Sequence, residues 1–310
     1  MRGWWQDLTD LVLPAECGGC GRPRTVLCPE CRAVLSGAAP SRVRPVPEPP
    51  GLPVVHAAAR YADEVRATLL AHKERGALAL AAPLGTALAG AVRAGLREAP
   101  GHAAGGGPPV LLVPVPSARS AVRARGHDPA RRIALAAAGE LRRTGTAARV
   151  LAVLRQRRAV ADQSGLNSRQ RLDNLAGALA VAPGGDRLLR GSSVVLVDDL
   201  MTTGASLAEA ARAVRAATVP EERTGAHGRR AQAAVAQRHF SGLVSYDEAT
   251  TAVYTAAARE GTGERTAESA DEATRRMHSV PGMPGAGGAG DVICAAVVAA
   301  PPDSFEINRN

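Results

Sequence analysis

The stretch that most constrains this chain covers residues 194–206 and reads VVLVDDLMTTGAS. Its four leading apolar residues are mostly β-branched and lack polar alternation, which is typical of a buried strand in a parallel sheet. Two carboxylates, Asp198 and Asp199, follow at the carboxyl end of that strand, where open α/β sheets bind their ligands. An apolar-periodic helix is predicted next, over residues 206–217. The stretch therefore predicts an α/β fold with a binding site at a strand end.

The turn between this strand and helix holds small and hydroxyl-bearing residues: Thr202, Thr203, Gly204, Ala205 and Ser206. Backbone N–H groups at a helix N-terminus bind phosphate, hydroxyls add donors, and a glycine admits close backbone approach. The two upstream carboxylates repel phosphate, but they can accept hydrogen bonds from neighbouring sugar hydroxyls or hold a divalent metal through water. Turn and carboxylates together predict a site for a ribose 5-phosphate. The stretch contains neither a Gly-Lys-Ser/Thr ending nor a G-x-G-x-x-G run, so it is not a P-loop or a dinucleotide fingerprint.

Charge and hydropathy narrow the classes of partner. The net charge is +9 although Lys73 is the only lysine, and the excess of Arg, Ala and Gly is typical of a GC-rich genome. The basic balance is compatible with anionic ligands such as phosphorylated sugars, and it is weak evidence for nucleic acid. We expect no membrane span, because no run of about 18 apolar residues occurs, and no signal peptide, because Asp7 and Asp10 interrupt the first apolar region. These features predict a cytoplasmic protein.

Four of the five cysteines fall in one window as two C-x-x-C pairs: Cys17, Cys20, Cys28 and Cys31. Two such pairs at this separation fit tetrahedral thiolate coordination of zinc. Two disulfides are the alternative, which a cytosolic chain disfavours. Because the protein fills all four ligand positions, we expect a structural Zn²⁺ rather than a catalytic one. The fifth cysteine, Cys294, is predicted to be a buried strand residue.

Strands that alternate with helices predict a parallel sheet flanked by helices. The predicted helices cover residues 61–76, 77–97, 129–144 and 206–217; the predicted strands cover 111–116, 150–154, 194–197 and 292–299; 172–181 is ambiguous. We assign residues 1–36 to a helix plus the zinc module, 37–53 to a Pro-rich linker, and 54–302 to the α/β domain. Residues 218–290 do not fit the alternation, and we expect a disordered insertion there.

A second strand end carries Pro114-Val115-Pro116, followed by four residues whose turn suits a diphosphate: Ser117, Ala118, Arg119 and Ser120. Further polar positions follow along the chain: Arg123, Arg125, Gly126, Arg155, Gln163, Arg169, Arg171 and Asn174. With the four cysteines and residues 194–206, these motifs resemble the ComF family of type I phosphoribosyltransferase-like proteins. The resemblance covers about residues 4–217 and 291–302. The chain departs from the family at residues 127–129, His-Asp-Pro, where members usually carry an aromatic residue and Asn-Gln.

The resemblance implies a type I phosphoribosyltransferase fold that binds phosphoribosyl pyrophosphate with Mg²⁺. In that reading Asp198 and Asp199 hold the ribose hydroxyls, residues 202–206 anchor the 5-phosphate, and residues 117–120 with Mg²⁺ hold the pyrophosphate. Transfer of the 5-phosphoribosyl group to a nitrogen nucleophile would follow, with an acceptor that the sequence does not identify. Arg125 is predicted either as a phosphate clamp or as a surface charge.

The same resemblance supports a second, non-enzymatic hypothesis. The family is associated with uptake of transforming DNA in competent bacteria, so the fold could bind nucleotide, single-stranded DNA or DNA-uptake machinery without turnover. Scarce aromatic residues weaken base stacking, whereas abundant arginine leaves electrostatic binding open. We expect Lys73 and His127 to be solvated, and the polar series around Arg171 to form a network that orders a loop.

Overall fold

The computed structural model describes residues 16–99, 109–158, 168–190, 192–218 and 292–305. These ranges contain both predicted phosphate-binding turns and the four clustered cysteines. Three predictions lie outside the described residues: the helix before the cysteines, Gln163, and the insertion beyond Thr218.

Eight strands occur in the described residues: β1 (Ser41–Val43), β2 (Val55–Arg60), β3 (Val110–Pro114), β4 (Ala148–Val150), β5 (Leu154–Gln156), β6 (Leu179–Val181), β7 (Ser193–Leu200) and β8 (Val292–Ala300). Six of them form one sheet in the order β1-β2-β8-β7-β3-β4. β1 pairs antiparallel with β2, and all other neighbours in this sheet are parallel. The protein is therefore an α/β fold with a mostly parallel sheet, and β8, the last strand, lies between β2 and β7.

Helices flank the sheet: α1 (Pro29–Ser36), α2 (Asp63–Glu74), α3 (Ala81–Glu98), α4 (Arg119–Arg125), α5 (Pro129–Arg143), α6 (Ser168–Leu175), α7 (Gly185–Leu189) and α8 (Ala205–Thr218). Buried residues of α1, α2, α3 and α5 form one hydrophobic cluster, and those of α7 and α8 form another. Helices α3 and α5 approach so closely that a Cβ at Gly85 would collide with the Cβ of Ala136. Small side chains thus replace aromatic bulk in this core.

The central strands are buried on both faces, which explains their unbroken apolar runs. Residues 194–197 of β7 have no exposed surface, and residues 295–300 of β8 have none either. Cys294 is buried in β8 as predicted, at 2% exposure, and burial raises the pKa of its thiol to about 12. The hydrophobic core therefore includes β7, the strand that carries Asp198 and Asp199, and it covers both faces of that strand.

Strands β5 and β6 form a separate two-stranded antiparallel sheet beside α8. Buried Glu209 of α8 accepts a hydrogen bond of 2.9 Å from the Leu179 N–H and pairs with Arg212, whose Nη2 also donates to the Leu179 carbonyl. Burial acts to raise the pKa of Glu209, but these donors outweigh it and hold the pKa below its ordinary value. This buried charge network connects the two-stranded sheet to α8, the helix that follows β7.

Several element boundaries differ from prediction. The predicted linker 37–53 contains β1, whose three residues are too short to show an alternating pattern. β2 was missed because its sequence, VHAAAR, is rich in alanine, and only its place in the sheet makes it a strand. The predicted strand 150–154 is two strands, β4 and β5, and the ambiguous 172–181 splits into α6 and β6.

The segment Leu78–Glu98, which includes α3, is the one helical segment in the described ranges long and apolar enough to cross a membrane. An 18-residue stretch of this segment has a mean hydropathy of 1.3, and 61% of that stretch is buried within the protein. Core helices of soluble proteins pass the same test, so length and composition here are weak evidence for a span.

Candidate functional site

The two adjacent carboxylates lie inside β7, not beyond it. The strand runs through both of them to Leu200, which extends the predicted strand by three residues. Because successive side chains of a strand point to opposite faces, the two carboxylates diverge. Asp198 Oδ1 also accepts a hydrogen bond of 2.8 Å from the Asp199 N–H. The site thus presents two separate acidic groups at the carboxyl end of a central parallel strand.

Asp199 pairs with Lys73, the residue before the last of α2. The Lys73 Nζ lies 3.1 Å from Asp199 Oδ2, and the side chains are 34% and 9% exposed, respectively. Burial acts to lower the pKa of Lys73, but the charges of Asp199 and Asp198 outweigh it and raise that pKa. Burial and the charge of Asp199 raise the pKa of Asp198 well above its ordinary value, although Lys73 opposes them. One cation therefore offsets part of a concentrated negative charge.

We expect Lys73→Met to lower the free energy of unfolding by about 1–3 kcal/mol. The change leaves a nearly buried carboxylate without its cation, while the partial exposure of Lys73 screens some of the loss. Urea unfolding would measure it, together with Asp199→Asn and the double variant. Because the two groups interact, the double variant should lose less than the sum of the single losses. Strict additivity would show that the pair contributes nothing.

The turn at residues 202–206, which the sequence predicts to bind phosphate, lies after β7 and extends into the first turn of α8. The Met201 N–H donates to the Ala299 carbonyl of β8 at 3.1 Å, and α8 begins at Ala205. Gly204 has a φ of +74°, and its carbonyl accepts from the Ala208 N–H at 2.9 Å. The first N–H groups of an α-helix have no partner within the helix, so those of residues 205–207 point toward the turn. The start of α8 therefore places backbone donors at residues 205–207, beside the turn predicted to bind phosphate.

Gly204 is constrained by its neighbours as well as by its backbone. A Cβ there would lie 3.1 Å from Leu52 Cδ2 and 3.3 Å from Pro45 Cγ. The segment between β1 and β2, which the sequence predicts to be a linker, therefore packs on the turn at residues 202–206. A side chain at position 204 would push the two apart.

We expect Gly204→Ala to destabilise the protein by about 1–3 kcal/mol and to weaken phosphate binding, because strain at positive φ adds to the contact with Leu52. Gly184→Ala is the matched control, since Gly184 has a φ of +78° with nothing within 4 Å of a Cβ. It should show the backbone cost alone. Thermal unfolding and ligand titration measure both, and equal losses in the two variants would contradict the packing contribution.

The predicted diphosphate turn lies beside the carboxylates. Pro114 of β3 pairs with Val197 of β7, and the Val115 N–H donates to the Val197 carbonyl at 2.9 Å. Ser117 Oγ donates to Asp128 Oδ1 at 3.4 Å, and Asp128 also caps α5. The turn therefore leaves the sheet next to the acidic strand.

The four residues assigned to the diphosphate do not all form one turn. Ser117 and Ala118 belong to the turn, whereas exposed Arg119 and Ser120 form the first turn of α4. The helix arises because its residues are mostly good helix formers, and left-handed Gly126 ends it. Arg119 and Ser120 can reach a ligand only from a helix.

Arg125 is engaged by Glu74 of α2, with Nη2 to Oε1 at 3.1 Å and Nε to Oε2 at 3.3 Å. A phosphate clamp at Arg125 would have to compete with this bidentate pair. His127 is buried at 8% exposure, so the expectation of a solvated histidine was wrong. Its Nδ1 and Nε2 each lie 3.2 Å from a carbonyl oxygen, of Arg125 and His72. The loop before α5 is thus fastened to the end of α2.

The end of α2 contacts the site more closely than its sequence predicts. Lys73 was expected to be solvated, yet it contacts the acidic strand, while Glu74 holds Arg125. Buried His72 lies next to His127, and burial lowers its pKa. The one available signal was that the only lysine in the chain stands at the end of a predicted helix.

The four N-terminal cysteines converge. Their sulfur atoms all lie within 4.8 Å of one another, and Cys17, Cys28 and Cys31 are buried. Sulfurs accept backbone N–H groups, from Cys28 to Cys17 at 3.3 Å and from Cys31 to Cys28 at 3.5 Å. Burial acts to raise the pKa of Cys17, but backbone donors outweigh it and lower the pKa to about 6. The cluster has the ligand set and spacing of a structural metal site.

This arrangement does not favour the disulfide alternative. The sulfurs of Cys20 and Cys28 lie 3.7 Å apart, well beyond the disulfide bond length of about 2.05 Å, and all described cysteines are free. Glycines make the cluster compact, because a Cβ at Gly19 would lie 2.7 Å from the Cys31 sulfur. A Cβ at Gly18 would meet Leu80, just before α3, at 2.6 Å. The cluster is therefore pressed against the helical face of the α/β core.

Comparison with known proteins gives no family assignment. Neither the family models nor the curated proteins that we searched contain a match to this chain. The described residues form a site with two turns at adjacent parallel strand ends and a carboxylate pair that contacts Lys73, and a separate cluster of four thiols.

Proposed function

We propose that this protein is a type I phosphoribosyltransferase-like protein of the ComF kind. It binds phosphoribosyl pyrophosphate with Mg²⁺ and transfers the 5-phosphoribosyl group to a nitrogen acceptor. The observation that carries the proposal is the adjacency of two turns, because the Val115 N–H bonds directly to Val197, the residue before the carboxylate pair. In this proposal residues 115–118 hold the pyrophosphate, Asp198 and Asp199 hold the ribose diol, and residues 202–206 hold the 5-phosphate.

The proposed chemistry needs positioning rather than a strong base. Asp198 and Asp199 leave opposite faces of β7, so the ribose would lie across the end of the strand and each carboxylate would accept a hydrogen bond from one of its two hydroxyls. The N–H groups at the start of α8 hold the 5-phosphate. Displacement at C1 through an oxocarbenium-like state separates pyrophosphate from the sugar, so the developing negative charge lies beside residues 115–118. Mg²⁺, when bound with the substrate, neutralises charge on the departing pyrophosphate. The chain's own contribution is to hold C1 between the two turns.

Lys73 supports this assignment through charge. A ribose 5-phosphate carries negative charge, and two ionised carboxylates beside it would repel it. The ammonium group 3.1 Å from Asp199 reduces that repulsion, and the charge of Asp199 disfavours ionisation of half-buried Asp198 and so acts to raise its pKa. The site can therefore accept an anionic ligand over an acidic strand.

The four-cysteine cluster is proposed to hold a structural Zn²⁺. Four sulfur ligands in two C-x-x-C knuckles match zinc in charge, number and softness. Free cysteines with this arrangement suit a reducing compartment, which favours the cytoplasm. The ion would stabilise the cluster, which packs in one hydrophobic core with α2 and α3. Helix α2 in turn ends at Lys73 and Glu74, which contact Asp199 and Arg125.

Isothermal titration tests the proposed function. Phosphoribosyl pyrophosphate is titrated into the protein with Mg²⁺ and then without it, and unphosphorylated ribose serves as the matched ligand. We expect saturable binding that requires the phosphate groups and weakens without Mg²⁺. Absence of binding at millimolar ligand would reject the proposal. Protein with bound substrate can then be offered candidate nitrogen acceptors, with release of pyrophosphate as the readout.

One observation favours the second candidate function, which is binding of single-stranded DNA or another polyanion without turnover. Four arginines around α4 and α5 are exposed: Arg119, Arg123, Arg131 and Arg132. Contacts with DNA phosphates release counterions, so fluorescence anisotropy should show affinity that falls steeply with salt. Affinity unchanged between low and high salt would reject this candidate.

A further inference from the structure

Arg171, on α6, lies over the phosphate turn from outside the β7–α8 unit. Its Nη1 lies 3.4 Å from Thr202 Oγ1, at the long limit of a hydrogen bond. Its Nε is buried from solvent and has no hydrogen-bond partner within the described residues. The guanidinium group therefore reaches the turn, but the turn does not provide acceptors for all of its N–H donors.

An unsatisfied N–H of a guanidinium group is unusual. Buried donors are nearly always paired, and the cost of leaving one unpaired is larger when the group is charged. The partner suggested by this placement is an anion with several acceptor oxygens, because Thr202 supplies only one hydroxyl oxygen. A phosphate offers two oxygens at the spacing of the guanidinium fork.

The charge of the turn leads to the same conclusion. Residues 201–206 carry no basic side chain, and the neighbouring strand residues Asp198 and Asp199 are acidic. Backbone N–H groups and a helix dipole supply only about half a positive charge, which does not balance a phosphate dianion. Arg171 is a full cation whose contact with the turn is seen in the described residues.

We infer that Arg171 binds the 5-phosphate of the sugar ligand. This inference rests on the proposed function and deepens it. Nε and an Nη group donate to two phosphate oxygens from the α6 side, while the N–H groups at the start of α8 donate from the opposite side. Arg171 thereby makes the site selective for phosphorylated over unphosphorylated ribose.

The test compares Arg171→Gln, Arg171→Lys and the control Arg169→Gln in the full chain. Arg169 is exposed and lies two residues away on the same helix, so its substitution removes the same charge without touching the turn. Calorimetry with ribose 5-phosphate and with Mg²⁺-phosphoribosyl pyrophosphate gives the affinities. We expect Arg171→Gln to weaken both by about 10- to 100-fold, Arg171→Lys to recover part, and Arg169→Gln to stay near wild type.

Inorganic pyrophosphate separates a direct role from a structural one, because it is expected at residues 115–118 and does not reach the turn. Its affinity should be the same in wild type and Arg171→Gln. An equal loss for pyrophosphate and ribose 5-phosphate would show a structural role and overturn the inference. Unchanged ribose 5-phosphate affinity in Arg171→Gln would overturn it while leaving the proposed function intact. A wild-type protein that binds neither sugar ligand would overturn both.

Discussion

Removing the Zn²⁺ proposed for the four-cysteine cluster is expected to lower the melting temperature of this protein by at least about 10 °C. Zinc in small cysteine modules contributes about 10–16 kcal/mol of apparent folding free energy, and each kcal/mol shifts the melting temperature of a protein of this size by about 2–4 °C. The cluster shares a hydrophobic core with α2 and α3 through Leu27 and Leu35, so its loss extends beyond the module. Differential scanning fluorimetry with and without a strong chelator measures the shift.

Metal content gives the control. Cys20→Ser removes an exposed member of the cluster and should abolish bound zinc with little change in packing. Cys294→Ala removes a buried cysteine outside the cluster and should retain one zinc ion per chain, measured by mass spectrometry. A metal-free protein that melts at the temperature of the metal-bound protein would contradict a structural role.

Replacing both strand carboxylates, as Asp198→Asn with Asp199→Asn, should abolish binding of ribose phosphates. Hydrogen bonds to charged acceptors contribute about 1.5–3 kcal/mol each, so loss of two weakens binding by at least about 100-fold. Titration of Mg²⁺-phosphoribosyl pyrophosphate measures the effect, and circular dichroism checks the fold. Exposed Asp173 provides the matched control, Asp173→Asn, which should bind normally. Equal affinity in wild type and the double variant would refute the site assignment.

Asp198→Asn alone should stabilise the protein at neutral pH. Burial and Asp199 raise the pKa of Asp198 above its unfolded value, so the group ionises more readily in the unfolded chain than in the fold. The fold therefore loses stability as the pH rises from the unfolded pKa of about 4 to the folded pKa. Below the unfolded pKa the group is protonated in both states and the penalty is absent. The gain in melting temperature should therefore be present at pH 7 and vanish near pH 3. The same gain at both values would show that charge is not its cause.

Local patterns predicted those parts of the fold that depend on neighbours in sequence. The apolar run at residues 194–197 is a central strand, and the helix expected over 129–144 is α5. The two C-x-x-C pairs converge, because short knuckles define their own geometry. Where a pattern spans few residues, its physical cause is also local, and sequence is sufficient.

Long-range partners account for what was missed. Lys73 and Asp199 are far apart in the chain, so no spacing rule connects them, and only the folded chain brings the end of α2 to the carboxyl end of β7. His127 is buried because His72 of another element accepts its hydrogen bond. Alanine-rich β2 becomes a strand because β8 pairs along it. Each feature that was not predicted depends on contacts between segments far apart in the chain, and none depends on its local sequence alone.

The position of β8 has a consequence for the order in which the protein becomes functional during synthesis. β8 hydrogen-bonds to β2 on one side and to β7 on the other. Until β8 has been synthesised, β2 and β7 each lack this neighbour. Residues 219–291 must leave the ribosome before it does. A nascent chain that already contains the thiol cluster and residues 115–118 and 202–206 would still lack the strand that joins β2 to β7. Exposed edges of that kind invite chaperones, and the site closes only when the last strand is inserted.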